Sequence, residues 1–96
     1  MLITLRQLQY IVAVADHKSY SKGAEHCHAE QSTVSHQIKQ VEDRLGVSIF
    51  KKKVQPIEPT EEGAEVVLQA KEILDKVEEL IKPFKTGMAL KMRKAS

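Results

Sequence analysis

Seven polar side chains crowd one stretch of this 96-residue chain: Gln31, Ser32, Thr33, Ser35, His36, Gln37 and Lys39. Val34 and Ile38 stand among them four residues apart, so a helix here turns an apolar pair inward and the polar groups outward. Each polar type has a partner on nucleic acid. Glutamine pairs through two hydrogen bonds with adenine, serine and threonine hydroxyls bond base edges or phosphates, and the threonine methyl touches thymine. Lys51, Lys52 and Lys53 lie further along and carry charge suited to phosphate. The pattern fits a surface that reads double-stranded DNA; taken alone it also fits an ordinary solvated helix face.

Other chemistries lack their residues. His26, Cys27 and His28 are consecutive, and neighbours on a helix point about 100° apart, so they form no metal-ligand set. Cys27 is the single cysteine, too few for an internal disulfide or a structural zinc site, and reads as a small core residue. No serine-histidine-acid or cysteine-histidine geometry follows for His36 from one surface helix, and no phosphate loop, catalytic carboxylate pair or dinucleotide fingerprint is present. Neither an enzyme nor a cofactor is expected.

The elements that must position the polar series follow from periodicity. Leu5, Leu8, Ile11, Val12 and Ala15 recur at helical spacing and predict an amphipathic helix from about Leu5 to His17. Ser19 is placed to cap a short second helix through about His28, with Tyr20, Ala24 and Cys27 inward. Gly23 inside it costs about 0.5–1 kcal/mol relative to alanine, which points to close approach by another backbone. A third helix from Gln31 carries Val34, Ile38, Val41 and Leu45 and ends at Gly46. The period then changes, and Val47, Ile49, Val54 and Ile57 around the lysine run predict a two-stranded wing over 47–59, with Pro56 and Pro59 at its edges. Thr60 precedes Glu61 and Glu62 as the cap of a long last helix. Val67, Ala70, Leu74, Val77 and Ile81 step along it by threes and fours, the seam of a helix paired with a partner helix, a pattern that also fits a last helix packed on its own domain's core. Pro83 is expected to end or kink it near Lys82, and the segment 87–96 reads as a flexible basic tail.

Net charge is +2 overall, yet unevenly placed. The chain is basic to Ile57, with eight Lys/Arg against five acids, and acidic from Glu58 to Lys82, with eight acids against three lysines. The first part suits a polyanion and the second repels one. At 42% hydrophobic and 29% charged, the composition suits one small folded domain. The longest apolar run, Ile11 to Ala15, falls far short of the ~20 residues of a spanning helix, so the expected setting is the cytoplasm with no membrane.

The run from Gln31 to Phe50, with Leu5 to Gly63 around it, resembles the N-terminal winged helix-turn-helix domain of the LysR-type transcriptional regulators. Leu8 to His17 and Glu25 to His28 are similar to the peroxide-sensing OxyR branch of that family. The resemblance implies a mainly α winged helix-turn-helix over residues 3–60, with the helix-turn-helix at about 20–39, and a linker helix over 60–86 that forms a homodimer. It also implies base contacts from Gln31 to Gln37, backbone contacts from Ser19 and Ser21, and wing contacts to the minor groove or flanking phosphate, where Lys52 and Lys53 lie. The family usually has arginine where Lys52 and Gln55 stand, proline where Ser32 stands, and leucine where Cys27 stands. Expected partners are a roughly palindromic DNA site and a second copy; the alternative is a truncated module pairing with a full-length relative. No small-molecule effector site is expected within these residues.

Overall fold

The computed structural model describes residues 2–85 and Gly87. Thr4 opens the first helix through a reciprocal cap: its Oγ1 accepts from the Gln7 N–H at 3.1 Å, while Gln7 Oε1 accepts from the Thr4 N–H at 2.9 Å. This α1 (Leu5–His17) stops at Lys18, whose φ of 54° is left-handed. Ser19 Oγ accepts from the Lys22 N–H at 3.1 Å and starts α2 (Tyr20–His26). That helix ends earlier than its expected limit at His28, because the Cys27 N–H doubles back to Gly23 and Ala24 carbonyls and His28 takes a left-handed φ of 55°. The third helix, α3 (Gln31–Leu45), closes at Gly46 with φ 72° and a 2.8 Å bond from its N–H to the Glu42 carbonyl.

Helix α1 lies at the centre, touching α2, α3 and α4 (Glu61–Lys85). Its inner side is Leu8, Tyr10, Ile11, Ala13 and Val14, joined by Ala24 and Cys27 of α2, Val34, Ile38 and Val41 of α3, Ile49, Phe50 and Ile57 from the connecting segment, and Val67 and Ala70 of α4. Being covered on three sides, α1 buries a different arc from the one its apolar spacing predicts: Leu5 is exposed, whereas Gln7, Tyr10 and Val14 are buried. Leu45, expected inside, is also exposed. Gly23 meets its expectation. A Cβ there would sit 2.9 Å from the Val14 backbone nitrogen, so α1 and α2 touch backbone to backbone.

Two expectations are corrected. The two-stranded wing is absent among the described residues; 47–59 makes one antiparallel bridge, Phe50 with Pro59, flanked by bonds from Lys51 N–H to Glu58 and from Thr60 N–H to Ile49, both 2.9 Å. Pro56 and Pro59 have no N–H to extend a ladder, and the Ile57 N–H is spent on the Lys18 carbonyl at 3.0 Å, tying the loop to the α1–α2 turn instead. Helix α4 also runs through Pro83 to Lys85. A proline in the last turn removes only one helical bond, since the carbonyls beyond it have no intrahelical partner in any case. The predicted tail, from residue 88 on, lies outside the described residues.

Candidate nucleic-acid interface

Helix α3 is held by Val34, Ile38 and Val41, all 1% exposed or less. The remaining positions of its first two turns face out: Gln31, Ser32, Thr33, Ser35, His36 and Lys39 are exposed, and Gln37 is half-buried. The sequence-predicted polar face therefore exists as one surface. Lys39 forms an ion pair with Asp43 one turn on, and that hydrogen bond and charge raise its pKa, so it stays cationic. At the start of α2 the hydroxyls of Ser19 and Ser21 lie 3.1 Å apart; Ser19 is half-buried as the cap and Ser21 is exposed.

In the loop after α3, Lys51 pairs with Glu58 at 3.4 Å, leaving Lys52 and Lys53 exposed and without an ion pair among the described residues. Lys53 occupies a left-handed φ of 58° at the loop tip. The loop is fixed to α3 by Glu42, whose carboxylate accepts from the Ile49 N–H at 2.8 Å. Basic tip and polar helix face are thereby set relative to each other.

Sequence reasoning missed the residues that brace α3 from behind. The Gln7 side chain crosses from α1 to donate to Gln37 Oε1 at 2.9 Å and Gln40 Oε1 at 3.3 Å. Arg6 donates to the Cys27 carbonyl at 2.7 Å and lies over the Tyr10 ring at 4.8 Å, clamping the α2–α3 turn. A signal for Gln7 was present: with Ile11 and Val14 it completes an i, i+4, i+7 line, and a polar residue on such a line needs buried partners.

Cys27 is buried with its Sγ 3.9 Å from the Gln9 carbonyl, and burial raises its thiol pKa against the opposing pull of Arg6. The His17 and His26 rings lie 5.0 Å apart at a cleft of about 380 Å³ beside it. Among the described residues no three His, Cys, Asp or Glu side chains converge as a metal set.

On α4, Val67 and Ala70 lie in the chain's own core and Leu74 packs against it, while Val77 and Ile81 are half-buried. The large apolar residues of α4 left outward are Leu68, Ile73, Leu80 and Phe84, 53%, 43%, 65% and 56% exposed. No described helix is long and apolar enough to cross a membrane.

Residues 5–64 match the bacterial regulatory helix-turn-helix proteins of the lysR family. The chain is 39% identical over 88 residues to the RuBisCO operon transcriptional regulator of Allochromatium vinosum, covering 88% of this chain and 29% of that protein. It is 36% identical over 78 residues to the DNA-binding transcriptional dual regulator OxyR of Escherichia coli K12, covering 81% of this chain and 26% of the relative. The chain thus spans under a third of the length of these relatives. Among solved structures it superposes on full-length OxyR from Pseudomonas aeruginosa with a TM-score of 0.83 and 34% identity, over 90% of this chain and 29% of that one. It superposes equally on the BenM DNA-binding domain in complex with benA site 1 DNA, with a TM-score of 0.81 and 30% identity, over 86% of this chain and 93% of that one. A match over residues 5–64, on the same four-helix frame, makes this chain a member of the lysR family of helix-turn-helix regulators.

Proposed function

We propose that this chain reads double-stranded DNA sequence-specifically and regulates transcription as a homodimer, in the cytoplasm. The observation that carries the reading is the exposed face of Gln31, Ser32, Thr33, Ser35, His36 and Lys39 on a helix locked by three fully buried residues. Side chains on such a fixed helix reach base edges in the major groove. Ser19 and Ser21 at the cap of α2, and Lys52 and Lys53 at the loop tip, take phosphates and set the register. The similarity to the BenM domain, whose structure is bound to DNA, supports the same use here.

The dimer face follows from what α4 leaves uncovered. Ile73, Val77, Leu80 and Phe84 are spaced four, three and four residues apart, the step of a paired helix, and lie about one residue around from the seam of Val67, Ala70 and Leu74 spent on the chain's own core. They continue into an apolar groove of about 400 Å³ between Ile3, Leu5, Leu45 and Val66. A second copy of α4 covers this strip, and two-fold symmetry then sets two α3 helices on half-sites about 34–36 Å apart, or a multiple, on a roughly palindromic operator.

A gel-shift titration tests the reading. Binding to a selected duplex should exceed binding to random DNA and fall steeply with salt as counterions are released. A salt-insensitive signal that ignores sequence overturns it.

A further inference from the structure

Among the described residues Gln7 is the buried polar side chain of the core, 6% exposed on the inner side of α1. Burying an amide costs free energy unless its donors and acceptor all find partners, and here they do. Oε1 accepts from the Thr4 N–H at 2.9 Å, and Nε2 donates to Gln37 Oε1 at 2.9 Å and to Gln40 Oε1 at 3.3 Å.

One end of this relay fixes its direction. A backbone N–H can only donate, so the Gln7 atom beside Thr4 is the oxygen and the NH2 group points at α3. Gln37 and Gln40 must then turn their carbonyl oxygens toward Gln7 and their NH2 groups away. Gln40 Nε2 lies 3.2 Å from His36 Nε2. An amide nitrogen only donates, so that ring nitrogen accepts, and the proton of the neutral ring sits on Nδ1. The polarity of a backbone amide at the start of α1 is in this way transmitted to two side chains of the outward polar face.

We infer that Gln7 is a positioning residue for sequence reading, which presents Gln37 and His36 to DNA as hydrogen-bond donors; this rests on the DNA-reading function proposed above. A glutamine free to flip offers oxygen or nitrogen equally and tolerates either kind of base edge. Held by Gln7, Gln37 offers its NH2 and selects edges that present only acceptors, guanine O6 and N7 or thymine O4, over the amino group of cytosine.

Gln7→Glu inverts the relay with almost no change of shape. The carboxylate still accepts from the Thr4 N–H, but it sets a second acceptor where the NH2 stood, so Gln37 must flip and face DNA with its carbonyl. Selection from random duplexes at about pH 8, where carboxyls ionise, should move the preference at one position of each half-site from guanine or thymine toward cytosine, by about tenfold. The double variant Gln7→Glu, Gln37→Ala should show no preference there, matching Gln37→Ala alone, a pattern that general loosening of the fold does not produce. If the unmodified chain selects no sequence, the DNA-reading function fails and this inference with it. If it selects one and Gln7→Glu selects the same one, this inference alone is overturned. Should circular dichroism find Gln7→Glu unfolded, Gln7→Met takes its place: it is expected to lose the preference at that position, and retained preference overturns the inference.

Discussion

The carbonyl oxygen of Ile49 lies 1.7 Å from the point where a Cβ on Gly63 would stand. The same oxygen accepts from the Thr60 N–H at 2.9 Å, and Thr60 Oγ1 in turn caps α4 by accepting from the Gly63 N–H at 2.9 Å. The first turn of α4 is therefore seated directly on the backbone that leaves α3. Only glycine permits that contact, although Gly63 sits within a helix where alanine has the better propensity. Gly63→Ala should destabilise the fold by about 3 kcal/mol or more, since the obstacle is backbone rather than a yielding side chain. Thr60→Ala should cost about 1 kcal/mol for the lost cap. Urea unfolding measures both, and a neutral Gly63→Ala would contradict the contact.

Alkaline solution should weaken the domain. Burial raises the Cys27 thiol, and burial reinforced by the charge of Glu42 raises the Tyr20 hydroxyl. The Asp43 hydrogen bond raises Lys39. For each group the folded pKa exceeds the unfolded one, so above the usual thiol pKa the unfolded chain binds fewer protons and stability declines as pH rises. Unfolding midpoints at about pH 7 and pH 10 should differ in that direction, and the difference should shrink in Tyr20→Phe. Alkylation of Cys27 in the folded chain should be slow at neutral pH.

Core and dimer residues on α4 should separate by experiment. Leu80→Glu puts a charge on the outward strip and should turn a dimer into a folded monomer, seen by sedimentation together with a helical circular dichroism spectrum and an unfolding midpoint that no longer depends on protein concentration. Val67→Ala should leave the dimer in place but cost about 1–2 kcal/mol of fold stability, as expected for methyl groups removed from a core. A Leu80→Glu chain that still sediments as a dimer rejects the proposed face.

Base and phosphate contacts should likewise part. Gln31→Ala should reduce discrimination between operator and random DNA by about 1–3 kcal/mol. Lys52→Ala should weaken binding to every sequence alike and lower the salt slope by about one. Equal losses on both kinds of DNA for both variants contradict these roles.

Much of this molecule was legible in its sequence, because helices announce themselves locally. Ser19, Gly46 and Thr60 mark boundaries through chemistry confined to one turn, and Val34, Ile38 and Val41 set which face of α3 is left exposed. Gly23 even announced a backbone contact that the structure contains. What local pattern cannot contain is the direction from which a helix will be covered. Apolar spacing on α1 placed Leu5 inside, but packing on three sides turned Gln7 and Val14 inward. The same limit holds on α4, where Val67 and Ala70 satisfy both a dimer pattern and a core pattern equally well until α1 takes them. Only the tertiary structure chose between those partners, and only it joined Thr4, Gln7 and Gln37, 33 residues apart from first to last, into one hydrogen-bonded relay. Periodicity fixes elements because it is a property of neighbouring residues; burial and hydrogen-bond direction belong to surfaces that meet only when the chain has folded.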